Sequence, residues 1–222
     1  MHGGKGVMKI SIWGKDGEDY PFYDKLKFAL VLRSLKKIFP KHLNSSNAVL
    51  LDVGCGYDAR ILQNMLPVIN RGIGLDFEVA PELKTKKNLS FYEGDLTATL
   101  KELPKESVDV VVFLSILEHM DDPASILRDA RRLLRMDGRI FFCSPTWFGK
   151  WVLENVLSNK LFDPYNETPK QYNSHKMYYD PRDMWPLLVK AGFVSTEIKI
   201  WRSNFGCSIS GYAEKTHASV AE

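Results

Sequence analysis

The chemistry-bearing residues of this sequence gather first at Gly54-Cys55-Gly56-Tyr57-Asp58-Ala59, a glycine turn with Asp52 just before it and Asp76 and Asp95 further along. The spacing fits G-x-G-x-x-A, the pattern that holds a dinucleotide pyrophosphate, with a later acid to grip a ribose. A pyrophosphate at a helix start is favoured by backbone N–H groups but opposed by nearby carboxylates, and here Asp52 and Asp58 flank the turn. S-adenosylmethionine (SAM) carries no phosphate, and its sulfonium and ammonium outweigh its one carboxylate, so charge favours it over a nicotinamide dinucleotide. Asp76, an acceptor-only carboxylate, can take both hydroxyls of a ribose. Asp95 can accept from the exocyclic amine of adenine, the backbone N–H of Leu96 can donate to a ring nitrogen, and Phe77 can cover a face of the base. Two histidines, His119 and His175, are candidates to take the proton that a hydroxyl or amine loses on methylation. The competing readings are a structural pairing of His119 with Glu118 and a surface or lid position for His175.

These residues need a scaffold, and the hydrophobic pattern supplies one. Phe28, Leu32, Leu35 and Phe39 recur at helical spacing with lysines between them, and Pro40 ends the run, which predicts an amphipathic helix over 21–39. Ala48-Val49-Leu50-Leu51-Asp52-Val53 reads as a buried strand entering the glycine turn, with a helix over 59–66 after it. Strands follow over 73–76, 89–93, 108–114 and 139–144. The first three of the chain end at or beside acids. Asp122-Pro123 starts a helix whose buried stripe is Ile126, Leu127, Ala130, Leu133 and Leu134, with Asp137-Gly138 closing it. Asp180-Pro181 starts another that ends at Ala191-Gly192. Strands are predicted over 194–200 and 205–213. This alternation indicates a doubly wound α/β sheet, with ligands at the carboxyl ends of the strands near the topological switch point. The long irregular stretch 146–179 holds Trp147, Phe148, Trp151, Phe162, Tyr165, Tyr172, Tyr178 and Tyr179. It reads as an acceptor lid, or as the packing of a small helical cover.

Taken in order, these segments resemble a known family. Val49-Leu50-Leu51-Asp52-Val53-Gly54-Cys55-Gly56 is similar to the first motif of class I SAM-dependent methyltransferases, particularly the broad small-molecule group. Gly74-Leu75-Asp76, Gly94-Asp95-Leu96, Ser115-Ile116-Leu117-Glu118-His119 with Asp122-Pro123, Leu133-Leu134-Arg135-Met136-Asp137-Gly138-Arg139 and Ala191-Gly192-Phe193 resemble later motifs in the right order, over about 48–200. The resemblance implies a single doubly wound, mostly parallel Rossmann-like sheet of seven strands, its last strand antiparallel and helices on both faces. It further implies that Asp52, Gly54, Cys55 and Gly56 surround the methionine part of SAM, Asp76 the ribose, Asp95 and Leu96 the adenine, and Ser115 the methionine backbone. One departure stands out: Asp58 occupies the place of a third glycine, where its side chain either crowds or repels the cofactor carboxylate or caps the following helix.

Composition agrees with an ordinary globular protein rather than a disordered or fibrous one: 222 residues, 45% hydrophobic and 26% charged, with a net charge of +3. One domain is expected over 1–222, divided into a helical cap (1–44), a SAM-binding core (45–145), an acceptor lid (146–179) and a C-terminal helix and strands (180–222). Cys55, Cys143 and Cys207 are scattered, without disulfide or metal-ligand spacing, and no metal is expected. The charge is too small to imply nucleic acid, and the Asn/Asp-Pro-Pro-aromatic signature of many base N-methylases is absent after the fourth strand. With no apolar leader or membrane-length run, a cytoplasmic enzyme with a small-molecule acceptor is expected. The lysines of the first helix leave room for a lipid-linked acceptor at a membrane surface. The alternatives are a nicotinamide-dependent oxidoreductase and a methyltransferase-like protein that binds SAM without turnover.

Overall fold

The computed structural model describes residues 22–39, 47–152, 155 and 175–217. The first helix, α1 (Phe22–Ile38), buries Phe28, Val31 and Leu35 along one face, the period that the sequence pattern requires. Seven strands follow: β1 (Val49–Val53), β2 (Arg71–Asp76), β3 (Leu89–Glu93), β4 (Val108–Leu114), β5 (Leu134–Pro145), β6 (Ile198–Ser203) and β7 (Ser208–Glu214). They form one sheet in the order β3-β2-β1-β4-β5-β7-β6. β7 runs antiparallel to β5 and β6, and the remaining pairs are parallel, as expected from the sequence. The helices between them are α2 (Arg60–Met65), α3 (Leu96–Glu102), α4 (Pro123–Leu133), α5 (Trp147–Val152) and α6 (Pro181–Lys190).

The apolar run of β4, broken by Asp109 alone, is explained by cover on both faces. Val111 and Phe113 pack with Leu100 of α3, Leu127 of α4 and Met184 of α6. Val110, Val112 and Leu114 point the other way, into a second core with Phe28 and Leu35 of α1 and Leu62 of α2. Each such side chain contributes about 1.5–3 kcal/mol by leaving water, so the central strands are the most firmly held part of the chain. The order of strands reverses between β1 and β4, and that junction opens a crevice at their carboxyl ends.

Three boundaries differ from the pattern reading. Asp137-Gly138 does not close α4; the helix stops at Leu133 and the chain passes straight into β5. Asp137, at φ 60°, makes a bulge there, its N–H donating to the Lys215 carbonyl at 2.8 Å while Lys215 N–H donates to the Gly138 carbonyl at 2.9 Å. The turn-like pair therefore serves a long-range pairing, which local spacing does not reveal. Ser195–Glu197 is a short 3-10 turn, so β6 begins only at Ile198. β7 begins at Ser208, because Asn204 and Phe205 hold positive φ values of 50° and 57°.

Candidate functional site

The glycine turn is tied to two neighbouring strand ends. Gly54 and Cys55 both donate their N–H to the Leu75 carbonyl, at 2.8 and 3.0 Å. Gly54 has φ 73°, a region that side chains avoid, and a Cβ there would lie 2.1 Å from Ile116 Cδ1. Glycine is thus required twice, by its own torsion and by the loop packed against it. Asp76 anchors the far side: Oδ2 accepts from Gly56 N–H and Oδ1 from Phe77 N–H, both at 2.7 Å. Each oxygen keeps capacity for a further donor such as a hydroxyl. Burial raises the Asp76 carboxyl above the usual range, opposed by the N–H groups of Gly56, Phe77 and Glu78.

The other expected nucleoside contacts lie at adjacent strand ends. Phe77 is partly exposed. Asp95 is the N-cap of α3, its Oδ1 accepting from Ala98 N–H at 2.7 Å, which occupies one of its two oxygens. Leu96 opens α3 with a buried side chain, and the amide of a first-turn residue has no acceptor within its helix. Ser115 is buried at φ 54°, its N–H donating to the Cys143 carbonyl at 2.9 Å.

Asp52 is the electrostatic anomaly. It is 1% exposed, and neither carboxylate oxygen has a hydrogen-bond partner among the described residues. Burial, and secondarily the charge of Asp76, push its carboxyl up to about 8. The Cys55 thiol is pushed well up by the same burial, with Asp52 and Asp76 adding to it. A buried carboxylate is costly unless something donates to it, so this one marks the place of a cation or a donor. It lies at a cleft lined by Phe28, Asp52, Gly54, Asp58, Arg60 and Leu114, among others. The Arg60 guanidinium stands over the Phe28 ring at 4.1 Å. A carboxylate and a guanidinium on one cleft suit a ligand that carries both signs, as an amino-acid end does. Sequence reasoning missed Arg60 and Phe28; the available signal was a cation directly after the turn and an aromatic on the helix that precedes it. Asp58 does not cap α2: the N-cap is Ala59, in the left-handed region at φ 43°, with no side-chain cap bond.

Beyond Ser115, the same loop builds a second centre. Leu117–His119 forms a 3-10 turn that carries Glu118 and His119. Glu118 is buried; its Oε2 accepts from the Ser144 hydroxyl at 3.1 Å, and its carbonyl accepts from Lys176 N–H at 2.8 Å and Met177 N–H at 3.3 Å. Those backbone bonds, with Tyr179 N–H donating to the Pro145 carbonyl at 3.0 Å, draw the end of the long aromatic stretch onto the loop. They bring the two predicted histidines together: the His119 and His175 rings meet edge to face at 4.7 Å. One carboxylate oxygen of Glu118 and one ring nitrogen of each histidine lie within 4.8 Å of one another. His175 Nδ1 is 3.2 Å from the Tyr178 hydroxyl, and Tyr178 in turn meets Trp147 at 5.3 Å. Trp147, Phe148 and Trp151 of α5 are about half exposed beside it. Of the aromatic residues expected in a lid, Phe162, Tyr165 and Tyr172 lie outside the described residues.

Comparison with known proteins places the chain in a family. Residues 23–198 match the family described as methyltransferase domain. Ubiquinone biosynthesis O-methyltransferase of Aliivibrio fischeri is 29% identical over 185 residues, spanning 79% of this chain and 74% of that protein. Among solved structures, a SAM-dependent methyltransferase from Archaeoglobus fulgidus superposes with a TM-score of 0.59 at 18% identity, covering 89% of this chain and 100% of that one. The [4+2]-cyclase SpnF superposes with a TM-score of 0.65 at 12% identity, covering 90% of this chain and 85% of that one. At such identities the superpositions speak for the fold alone.

Proposed function

Since this chain belongs to the class I SAM-dependent methyltransferases, we propose that it methylates a hydroxyl on a small planar acceptor. The observation that carries this reading is the meeting of His119 and His175, because a hydroxyl nucleophile must lose a proton and an imidazole is the side chain suited to take it near neutral pH. The name of the Aliivibrio fischeri relative, an O-methyltransferase of ubiquinone biosynthesis, supports oxygen as the atom methylated. The aromatic side chains of α5 support a planar acceptor. The cyclase that shares the fold shows why the site, rather than the fold, must carry the argument.

Bound SAM supplies an electrophilic methyl group on a positively charged sulfur. Asp52 offers its unpartnered carboxylate to the ammonium at the methionine end, and Arg60 answers the carboxylate of the same end. Gly54, Cys55 and Gly56 leave room for that end at the turn, with Ser115 beside it on the next strand's loop. Asp76 holds the ribose hydroxyls with the oxygen capacity left beyond Gly56 and Phe77. Phe77 covers the adenine, and Asp95 and Leu96 supply its acceptor and donor. His119 and His175 take up the acceptor proton, a contribution of about 10²–10⁴-fold, while alignment of the reacting groups supplies up to about 7–11 kcal/mol. Among the described residues no helix is long and apolar enough to cross a membrane, so a lipid-tailed acceptor would be met at a surface.

The test is formation of S-adenosylhomocysteine from SAM with a panel of phenols, catechols, amines and RNA. Turnover is expected with the hydroxyl compounds, and His119→Gln or His175→Gln should lower kcat by about 10²–10⁴-fold with SAM affinity unchanged. Turnover confined to amines or RNA would refute the proposal.

A further inference from the structure

We propose that Glu93, at the end of β3, is the positioning residue for the adenine cover: it fixes the loop that carries Phe77 and so sets how tightly the nucleoside end of SAM is held. Among the acids at strand ends, Asp95 stood out in the sequence and Glu93 did not, because the partners of Glu93 come from the segment 79–84 that precedes its own strand.

The loop between β2 and the 3-10 turn Pro81–Thr85 gives its backbone amides, one after another, to fixed acceptors. Phe77 N–H donates to Asp76 Oδ1 at 2.7 Å, and Glu78 N–H donates to the same carboxyl group. Val79 N–H donates to Glu93 Oε1 at 2.8 Å, and Ala80 N–H donates to the Tyr57 carbonyl at 3.0 Å. The acceptors thus come from the ends of β2 and β3 and from the glycine turn. Asp76 also serves the ribose, whereas Glu93 is given over to holding the loop. Asp76 and Glu93 are register partners in the sheet, and Gly94 N–H donates to the Asp76 carbonyl at 3.0 Å. The acid that grips the sugar and the acid that grips the loop therefore share one frame.

This deepens the cofactor half of the proposed function and rests on Phe77 covering the adenine. Phe77 is 38% exposed, so packing does little to place it and the backbone of its loop must. Val79 is buried, which makes its N–H costly to leave without an acceptor. The other oxygen of Glu93 accepts from Lys84 Nζ at 2.7 Å, and the Lys84 and Val79 bonds together hold the Glu93 carboxyl below its ordinary range. Both members of that ion pair are more than a third exposed, and such a pair contributes little by itself. The effect of Glu93 therefore lies in the Val79 bond, with Lys84 steering the carboxylate toward it.

The experiment reads binding alone, by calorimetry with SAM and with 5′-methylthioadenosine, which has the nucleoside but no amino-acid end. The Glu93 side chain is exposed, so Glu93→Ala opens no cavity, and it should raise the Kd of both ligands equally, by about tenfold. Glu93→Gln keeps an oxygen for Val79, and Lys84→Met removes only the ion pair, so both should stay within about threefold of the parent. In a double-mutant cycle, Glu93→Ala added to Phe77→Ala should cost no more than about twofold further, because Glu93 acts through Phe77; a merely structural role gives additive losses. Parental SAM affinity in Glu93→Ala, a loss confined to SAM, a loss that Glu93→Gln shares in full, or additivity in the double variant overturns the proposal. Parental affinity for both ligands in Phe77→Ala overturns the adenine reading beneath it and the proposal with it. The hydroxyl reading of the acceptor stands or falls separately, on turnover.

Discussion

The two halves of the crevice are built by different means. The half around the glycine turn is made from consecutive strand ends, β1, β2 and β3, each contributing an acid within a few residues of where its strand stops. The half around His119 and His175 is made by one loop after β4 and a distant segment that reaches it through two backbone hydrogen bonds, with a third to the end of β5. A site of the first kind inherits the rigidity of the sheet. One of the second kind depends on a few long-range contacts, so it can change its substrate without disturbing the cofactor side. If that division holds, damage to the first half should cost fold and cofactor together, and damage to the second should cost the acceptor alone.

The largest expected effect therefore belongs to Gly54→Ala. Positive φ costs about 1–3 kcal/mol for a side chain, and crowding against Ile116 adds a similar amount. Denaturant unfolding should show the lost stability, and calorimetry should show SAM binding lost in whatever protein remains folded. An alanine variant with parental stability and SAM affinity would break the claim that the turn is fixed by the sheet.

Next in size is a pH effect confined to the cofactor half. The Asp52 carboxyl is at about 8 in the folded protein against 3.8 when unfolded. Being raised, it contributes stability that is full below about pH 4 and is lost as pH rises through about 8. A cationic ligand needs the ionised form, so SAM affinity should rise by up to about tenfold per pH unit from pH 6 and level off above about pH 8. Asp52→Asn should flatten that profile when affinity is followed by calorimetry across pH. A parental slope in the variant would remove Asp52 from the binding account.

The same division explains what the sequence could reveal. β1 and β4 were legible because a parallel sheet covered on both faces writes nearly continuous apolar runs, and the glycine turn because its torsions demand particular residues. Asp76 and Asp95 stood out as acids at strand ends, although the N-cap duty of Asp95 became visible only with α3 in place. His119 and His175 were legible as residue types but not as neighbours. Nothing in local spacing encodes Lys176 and Met177 pairing with the Glu118 carbonyl. Asp137-Gly138 misled for the same reason, since a helix-ending pair and a bulge pairing with Lys215 look alike until the partner strand is known. Arg60 was passed over because its meaning depends on Phe28, which arrives from α1.

The smallest effect should come from Tyr179→Phe, and it separates the halves most cleanly. The Tyr179 hydroxyl donates to the Leu117 carbonyl at 3.1 Å, clasping the returning segment onto the turn that carries Glu118 and His119. Burial, with Glu118 and Asp183 nearby, pushes this phenol up to about 12, so it remains a donor across the working pH range. Removing the hydroxyl leaves that carbonyl with the Met120 N–H, at 3.3 Å, as its remaining donor, and costs about 0.5–1.5 kcal/mol. Yet Tyr179 makes no contact with the glycine turn through that bond. Its loss should raise KM for the acceptor or lower kcat several-fold while the Kd for SAM stays at the parental value. A matching loss in SAM affinity would mean that the clasp also holds Ser115 and Ile116 against Gly54, and that the crevice behaves as one rigid unit rather than two.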